Sequence, residues 1–284
     1  MSSVAETITC SVCHHHCQLR SGQAGFCRAR KCIDNKIVDE NYGRITSIAI
    51  DPIEKKPFAE WHPGSRVLSV GSYGCNLRCP FCQNWEISQV GDHDSRWQKI
   101  SPKNLVDLTL KAYKQDQSIV GIAYTYNEPL VGWEYVRDCA LLAHKYNLAT
   151  VLVSNGCANI EIIDKLAPLV DAANIDLKSI SSEYYKECAG DLDLVKGTIQ
   201  RLDYEKSCHL EVTTLIVNGR NDSLEEIKAI SKWLASIDPK IVLHITRFFP
   251  CWKVTDRPAT PVSRIQHLAS VARTYLPHVY VGNC

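Results

Sequence analysis

The segment RVLSVGSYGCNLRCPFCQNWEIS, residues 66–88, sets both the architecture and the chemistry of this 284-residue chain. Its first seven residues form a short apolar run, which is typical of a strand buried on both faces of a parallel sheet. The loop that follows carries Cys75, Cys79 and Cys82 in a C-x3-C-x2-C spacing. Three thiolates so close in sequence can bind one metal centre and leave it an open position, as a catalytic metal needs. An iron–sulfur cluster and a tetrahedral zinc would both accept them.

The overall composition is that of an ordinary globular protein. Hydrophobic residues make up 45% and charged residues 22%, and the formal net charge is +1. Near-zero charge argues against a nucleic-acid or anionic-membrane binder, and no apolar run approaches the ~20 residues that span a bilayer. The first ten residues, MSSVAETITC, lack the charged and apolar regions of a secretory signal, so we expect a cytoplasmic protein.

Cysteine is the unusual component, with 14 residues. Clustered spacing and the missing export signal favour metal ligation in a reducing compartment over a disulfide framework. Near the N-terminus, four cysteines in a C-x2-C-x3-C-x9-C spacing predict a second metal site, either zinc or iron–sulfur, with a structural or electron-relay role; they are Cys10, Cys13, Cys17 and Cys27. Four scattered cysteines are expected in the core as small hydrophobes, namely Cys139, Cys157, Cys188 and Cys208.

Residues 1–65 read as a cysteine-rich arm followed by an irregular, proline-containing connector, and residues 66–284 as an α/β unit. In the α/β unit, Val/Ile-rich runs alternate with segments of helical period, which predicts parallel strands joined by right-handed crossovers. Periodicity alone leaves open a complete barrel, a partial barrel or a doubly wound sheet. The predicted strands are 66–72, 119–125, 149–154, 172–177, 209–217, 241–246 and 278–282. In either architecture the reactive groups belong at the carboxyl ends of the strands.

The three-cysteine loop, with Phe81 before its last cysteine, resembles that of the radical S-adenosylmethionine (SAM) superfamily. The resemblance implies a partial (β/α)6-type barrel and a [4Fe-4S] cluster on Cys75, Cys79 and Cys82, whose fourth iron chelates SAM. It further implies reductive cleavage of SAM to methionine and a 5′-deoxyadenosyl radical, which abstracts hydrogen from a substrate. A structural zinc knuckle is the alternative interpretation of the same spacing.

Further segments narrow the resemblance to the pyruvate formate-lyase activating-enzyme-like group, and within it to the AmmeMemoRadiSam-system enzymes. These are DPIEKKPF (51–58), CPFCQNWEIS (79–88), YTYNEP (124–129), VSNG (153–156), IDLKS (175–179), EVTTLIVNGRND (211–222), HITRFFP (244–250) and VYVGN (279–283). The likeness implies reduced flavodoxin or ferredoxin as electron donor and leaves the substrate unidentified. The alternative function is activation of a glycyl-radical enzyme, with a partner protein as substrate.

The resemblance also assigns roles to the loop aromatic and to polar residues at three strand ends. Phe81 would lie on the adenine side of SAM. Asn127 and Glu128 would meet the SAM amino group, and Ser154 and Asn155 would meet the ribose. Asp176 and Lys178 would meet the methionine end. Asn127 and Glu128 stand where the superfamily usually has a Gly-Gly-Glu stretch.

Each of these residues also has a plain structural interpretation. Phe81 could pack within its loop, the Asn-Glu-Pro sequence could open a helix, and Asn-Gly could form a turn. Asp176 and Lys178, two apart on one strand face, could form a structural ion pair. Asn218, His244 and Arg247 lie near later strand ends and could face adenine or substrate, although a strand histidine is more often a core residue.

Overall fold

The computed structural model describes residues 7–284. Its strands are β1 (Ile8–Thr9), β2 (Gln18–Leu19), β3 (Arg30–Ile33), β4 (Lys36–Asp39), β5 (Arg44–Ile45), β6 (Ser47–Pro52), β7 (Arg66–Gly71), β8 (Gln98–Lys99), β9 (Ile119–Tyr124), β10 (Ala149–Ser154), β11 (Ala172–Asp176), β12 (His209–Ile216), β13 (Val242–Arg247) and β14 (Val279–Gly282). Its α-helices are α1 (Trp85–Ser88), α2 (Pro102–Gln115), α3 (Trp133–Ala143), α4 (Ile160–Leu166), α5 (Ser182–Glu187), α6 (Leu192–Tyr204), α7 (Leu224–Ile237) and α8 (Val262–Ala272). None of the helices among these residues is long and apolar enough to cross a membrane.

An eight-stranded sheet in the order β14-β13-β12-β11-β10-β9-β7-β6 forms the centre of the molecule. Within this sheet, the seven strands β7, β9, β10, β11, β12, β13 and β14 pair in parallel. Each of the six connections between them carries at least one α-helix. All seven predicted strands are present, and the predicted α/β architecture with a partial barrel of (β/α)6 type is confirmed. Strands β6 and β14 are the two edges, so the sheet does not close by hydrogen bonding.

The segment 44–65 differs from the irregular connector that we expected. Residues 47–52 form β6, which pairs antiparallel with β7 along its whole length, from Ser47 opposite Gly71 to Pro52 opposite Arg66. Pro52 is tolerated because it lies at the end of an edge strand. A domain boundary between residues 65 and 66 remains a prediction, and residues 1–6 of the expected arm lie outside the described residues.

Two of the α-helices begin at a serine whose side chain caps the first turn. Ser101 Oγ accepts a hydrogen bond from Asn104 N at 3.2 Å, and Ser223 Oγ accepts one from Glu226 N at 3.0 Å. The Glu226 carboxylate does not complete a capping box, because it instead accepts from Ser179 Oγ and Ile180 N. Helix α7 is thereby tied to the loop that follows β11.

The segment 53–61 crosses the concave side of the sheet and links its two edges. Ala59 N and Glu60 N donate to the carboxylate of Glu211 on β12, at 2.9 and 3.0 Å. The Glu60 carboxylate in turn bonds to His278 Nδ1 at 2.5 Å and accepts from Tyr280 OH at 2.9 Å, beside and on β14. This segment starts from edge strand β6 and reaches the opposite edge, so the sheet is strongly curled.

Glu211 is the electrostatic centre of this link. Its side chain is fully buried and bonds to His209 Nε2 at 2.9 Å and His244 Nε2 at 2.5 Å. Burial opposes ionisation, but the hydrogen bonds from both imidazoles and from the backbone lower the pKa of Glu211 to about 2. His244 therefore lies inside β13 as the partner of a buried carboxylate, in agreement with the structural interpretation of a strand histidine.

We predict that Glu211→Gln lowers the free energy of unfolding at pH 7 by about 3–5 kcal/mol, because it replaces a buried, ionised carboxylate that bonds to Ala59 N, Glu60 N and two imidazoles with a neutral amide. Glu211 is more acidic in the folded chain than its ordinary value of 4.5. Its contribution is therefore complete above about pH 4.5 and is lost as the pH falls towards 2. Anaerobic denaturant titrations at several pH values measure both effects. Glu225→Gln, on the exposed first turn of α7, is the control, and equal stability losses for the two variants would contradict the assignment.

Candidate functional site

The three-cysteine loop leaves the sheet at the carboxyl end of β7, and hydrogen bonds to Asn127 fix its first residues. Asn127 Oδ1 accepts from Ser72 N at 2.9 Å, and its Nδ2 donates to the carbonyl oxygens of Tyr73 and Gly74, each at 3.1 Å. Asn127 itself follows β9, the neighbouring strand. The residue that we expected at the SAM amino group is therefore also the brace that fixes the start of the cysteine loop.

A backbone amide points at one of the loop sulfurs. Leu77 N, two residues beyond the cysteine, donates to Cys75 Sγ at 3.3 Å. Hydrogen bonds of this kind stabilise a sulfur that carries negative charge, as a metal-bound thiolate does.

A side chain from another element supplies a second contact to Cys75, because Asn155 Nδ2 donates to Cys75 Sγ at 3.6 Å. Cys188 lies in the core as the sequence predicts. Its carbonyl oxygen accepts from Arg78 N, next to Cys79, at 2.7 Å, a contact that the sequence does not indicate.

Glu128, Ser154 and Asn155 form one buried network where β9 and β10 end. The Glu128 carboxylate accepts from Ser154 Oγ at 2.7 Å, from Asn155 N at 2.8 Å and from Leu130 N at 2.9 Å. Burial raises the pKa of Glu128 to about 7, against these three hydrogen bonds. Oε2 accepts only one of the bonds, so it retains a lone pair for a further donor.

Asn76 extends this network into the cysteine loop, and the sequence analysis missed it. Asn155 Nδ2 donates to Asn76 Oδ1 at 2.9 Å, and Asn76 Nδ2 donates to Cys157 O at 2.5 Å. Asn76 is 1% exposed, so its side chain bonds within the protein. An asparagine beside a cysteine carries no sequence signal that distinguishes this role from an ordinary loop position.

Asp176 and Lys178 form an ion pair of 2.8 Å where β11 ends. The Lys178 side chain is 12% exposed, whereas that of Asp176 is 40% exposed and accessible to a ligand. Burial opposes the Lys178 charge, but Asp176 and the nearby Cys79 thiol raise the pKa of Lys178 above its ordinary value. The structure thus brings this pair next to the cysteine loop.

The remaining predicted residues do not join the network. The Phe81 ring is 3% exposed and packs 6.2 Å from the Tyr184 ring, between centroids. Arg247 Nε donates to Thr260 O at 2.7 Å, and Asn218 O accepts from Arg257 Nη1 at 3.0 Å.

The N-terminal arm packs directly against the cysteine loop. Cys75 N donates to Cys27 O at 3.2 Å, and the His15 Nε2 atom lies 2.8 Å from Asn76 O. Within the arm, burial and the thiols of Cys27, Cys10 and Cys17 raise the pKa of Cys13 to about 12.

Across residues 7–284, no three His, Cys, Asp or Glu side chains converge tightly enough to hold a single metal ion. A multi-iron cluster binds each thiolate at a different iron and needs no such convergence. The amide donors to the Cys75 sulfur fit a cluster ligand. All 14 cysteines are free.

Comparisons with known proteins agree with this architecture. Residues 69–234 match the model of the radical SAM superfamily. The chain is 34% identical over 278 residues to an uncharacterized protein of Methanocaldococcus jannaschii, covering 97% of this chain and 81% of that protein. It is 30% identical over 188 residues to the pyruvate formate-lyase-activating enzyme of Listeria monocytogenes, covering 62% and 71% of the two chains. The crystal structure of Streptococcus suis SuiB bound to S-adenosylmethionine has a TM-score of 0.59 at 13% identity, covering 77% of this chain and 52% of SuiB.

The fold and the cysteine loop define an α/β-barrel enzyme of the class that uses an iron–sulfur cluster to generate a radical. The chain belongs to the radical SAM superfamily. It is accordingly an enzyme of SAM cleavage, with a [4Fe-4S] cluster and SAM as cofactors. Its relatives include activating enzymes of the pyruvate formate-lyase type.

We predict that Asn127→Ala weakens retention of the cluster about tenfold, because the three backbone groups of residues 72–74 lose their brace. The measurement is the rate at which a chelator bleaches the cluster absorbance in anaerobically reconstituted protein. Asn104→Ala, on exposed α2, is the matched control. Bleaching of Asn127→Ala at the control rate would show that the brace does not support the cluster.

Proposed function

We propose that Cys75, Cys79 and Cys82 are the three protein ligands of the [4Fe-4S] cluster. Their spacing leaves one iron without a protein ligand, and the Cys75 sulfur accepts hydrogen bonds from Leu77 N and Asn155 Nδ2. The single observation that carries this assignment is the convergence on this loop of polar groups from the ends of β7, β9, β10 and β11. When bound, the cluster supplies the electron that cleaves SAM.

The residues at the strand ends would bind and orient SAM. Glu128 Oε2 retains an acceptor site for the SAM ammonium, and Ser154 and Asn155 lie beside it for the ribose hydroxyls. Asp176 and Lys178 would meet the methionine end, where the ammonium of Lys178 attracts a carboxylate. Phe81 would contribute an apolar wall on the adenine side.

The proposed reaction consumes one electron for each SAM that is cleaved. The electron, from reduced flavodoxin or ferredoxin, breaks a sulfur–carbon bond to give methionine and the 5′-deoxyadenosyl radical. That radical takes a hydrogen atom from the substrate, so the products are 5′-deoxyadenosine and a substrate radical. We place this chemistry in the cytoplasm, where 14 free thiols remain reduced.

We predict that the reconstituted protein, reduced with dithionite in the presence of SAM, yields 5′-deoxyadenosine and methionine in equal amounts. Replacing Cys75, Cys79 or Cys82 by alanine should reduce both products to the level of the enzyme-free blank, because the cluster loses a ligand. Liquid chromatography of the quenched reaction measures both products. Cys208→Ala, distant at the start of β12, should retain them. SAM cleavage by the triple cysteine variant would refute the ligand assignment.

Activation of a glycyl-radical enzyme is the second candidate function. It is favoured by the similarity to an enzyme named for activating pyruvate formate-lyase. The substrate would then be a partner protein with an exposed glycine loop. A glycyl-radical enzyme encoded beside this chain, and a glycyl radical signal formed when both proteins are mixed with SAM and reductant, would establish it. Deoxyadenosine formation without that signal favours another substrate.

We further propose that Cys10, Cys13, Cys17 and Cys27 hold a second metal centre, either zinc or an iron–sulfur cluster. A backbone amide donates to one of their sulfurs as one does in the cysteine loop, with Phe26 N at 3.3 Å from Cys17 Sγ. A cation would relieve the mutual repulsion of four adjacent thiolates. Such a metal would staple the segment that precedes β6 and packs against the cysteine loop.

Replacing Cys10 and Cys13 together by alanine should remove this second centre and leave the catalytic one. We expect metal analysis to show loss of zinc, or of about four irons if the centre is a second cluster. The rate of SAM cleavage, divided by the amount of folded protein that still holds four irons, should equal that of wild type. The control is Cys139→Ala, a buried cysteine on α3. A metal content equal to that of wild type in the double variant would exclude the proposed centre.

A further inference from the structure

The turn that follows β9 has an unusual backbone conformation at Tyr126. Asn127 N donates to Thr125 O at 3.0 Å, which closes a three-residue γ-turn with Tyr126 at its centre. Tyr126 has a left-handed φ of +71°, so this is the rare and strained form of the turn. Strained conformations persist where the surrounding structure holds them, and they cluster at functional sites. Glu128, the proposed contact of the SAM ammonium, lies two residues further along the chain.

The segment DPIEKKPF, residues 51–58, holds the side chain of Tyr126. Tyr126 OH donates to Asp51 Oδ2 at 2.7 Å, and Lys56 Nζ donates to the same oxygen at 2.7 Å. Lys56 Nζ also lies 4.5 Å from the centroid of the Tyr126 ring, and Lys55 Nζ donates to Asp51 Oδ1 at 2.9 Å. Burial opposes the charge of Asp51, but the hydrogen bonds from both lysines and from Tyr126 keep its pKa below its ordinary value. The phenol therefore donates to an ionised carboxylate, which makes this a strong hydrogen bond.

Strand β7 confines Tyr126 as well. A Cβ atom at Gly71 would lie 2.9 Å from Tyr126 Cβ and 3.0 Å from Thr125 O, so a larger residue fits there only if Tyr126 shifts. The ion pair that anchors the phenol is itself buried, since Asp51 is 5% exposed and Lys56 is 2% exposed. Apolar residues of similar volume often stabilise a protein as well as a buried ion pair does, so the charged anchor points to a role beyond packing.

We infer that Tyr126 is a positioning residue whose bond to Asp51 holds the γ-turn in the shape that presents Glu128 to the SAM ammonium. The inference rests on the proposed role of Glu128 in SAM binding. Glu128 Oε2 already accepts from Asn155 N at 2.8 Å, so the carboxylate must stay in place for its remaining lone pair to meet the ligand. Loss of the bond to Asp51 lets the strained turn relax, and Glu128 then leaves the position in which it receives the ammonium.

The test is the dissociation constant of SAM, measured by anaerobic equilibrium dialysis of the reconstituted full chain. The cluster is left oxidised, so that no SAM is cleaved during the measurement. Tyr126→Phe keeps the ring and its contact with Lys56 but removes the hydrogen bond to Asp51. We expect the dissociation constant to rise about tenfold for the fraction of the protein that holds four irons, because a hydrogen bond to a charged group is lost.

Tyr42→Phe is the matched control, because Tyr42 OH also donates to a carboxylate oxygen, Asp138 Oδ2, at 2.7 Å. It removes the same kind of bond and should leave the dissociation constant of SAM unchanged. Gly71→Ala is a second variant, which keeps every group of the anchor but displaces Tyr126, and it should also weaken SAM binding.

A double-mutant cycle with Glu128→Gln separates positioning from a general loss of structure. If Tyr126 acts through Glu128, the two effects on SAM binding are not additive. Tyr126→Phe should then raise the dissociation constant by less than about twofold in the Glu128→Gln background.

Wild-type affinity for SAM in Tyr126→Phe overturns the inference, and so does a tenfold effect that persists in the Glu128→Gln background. If Tyr126→Phe fails to fold or to hold its cluster, Gly71→Ala decides. Weaker SAM binding by Gly71→Ala that disappears in the Glu128→Gln background supports the inference, and wild-type affinity overturns it. Wild-type affinity in Glu128→Gln would instead refute the proposed contact between Glu128 and SAM.

Discussion

The hydrogen bonds that fix the loop of residues 72–84 are the constraint on which the site depends. Ordering a residue costs about 1–2 kcal/mol of backbone entropy, and this loop has no regular ladder to offset that cost. Its shape is fixed by hydrogen bonds to residues outside the loop, namely to the Asn127 side chain and to Cys27 O. Each bond contributes about 1 kcal/mol, so several elements must be in place before the thiols are presented together.

The order of strands and helices could be predicted because parallel strands buried on both faces consist of short, continuous apolar runs. Strand β6 has no such run. It lies at an edge, where Ile48 and Ile50 are exposed, and its segment contains prolines that normally exclude strands. Its antiparallel pairing with β7 depends on tertiary contact alone. The same holds for the Glu60 link to β14, which joins residues more than 200 positions apart.

The candidate site was predictable in location and less so in detail. Parallel strands bring their carboxyl ends to one edge, so Asn127, Ser154 and Asp176 had to lie near Cys75. Sequence does not reveal whether an amide or a carboxylate there bonds to the protein or to a ligand. The side chains of Glu128 and Asn127 form many of their hydrogen bonds with the protein's own backbone. The bond from Arg78 N to Cys188 O follows no local period, so the sequence could only suggest that Cys188 is a core cysteine.

The arm and the cysteine loop fold as interdependent parts. Gly74 has a φ of +87°, and a Cβ atom there would lie 2.5 Å from Cys27 O, so only glycine permits the approach. The bond from Cys75 N to that same oxygen then joins a residue of the four-cysteine arm to a residue of the three-cysteine loop. Any metal that orders the arm would therefore also order the loop. This coupling gives a physical reason for a cysteine-rich segment to precede a barrel whose own chemistry needs only one cluster.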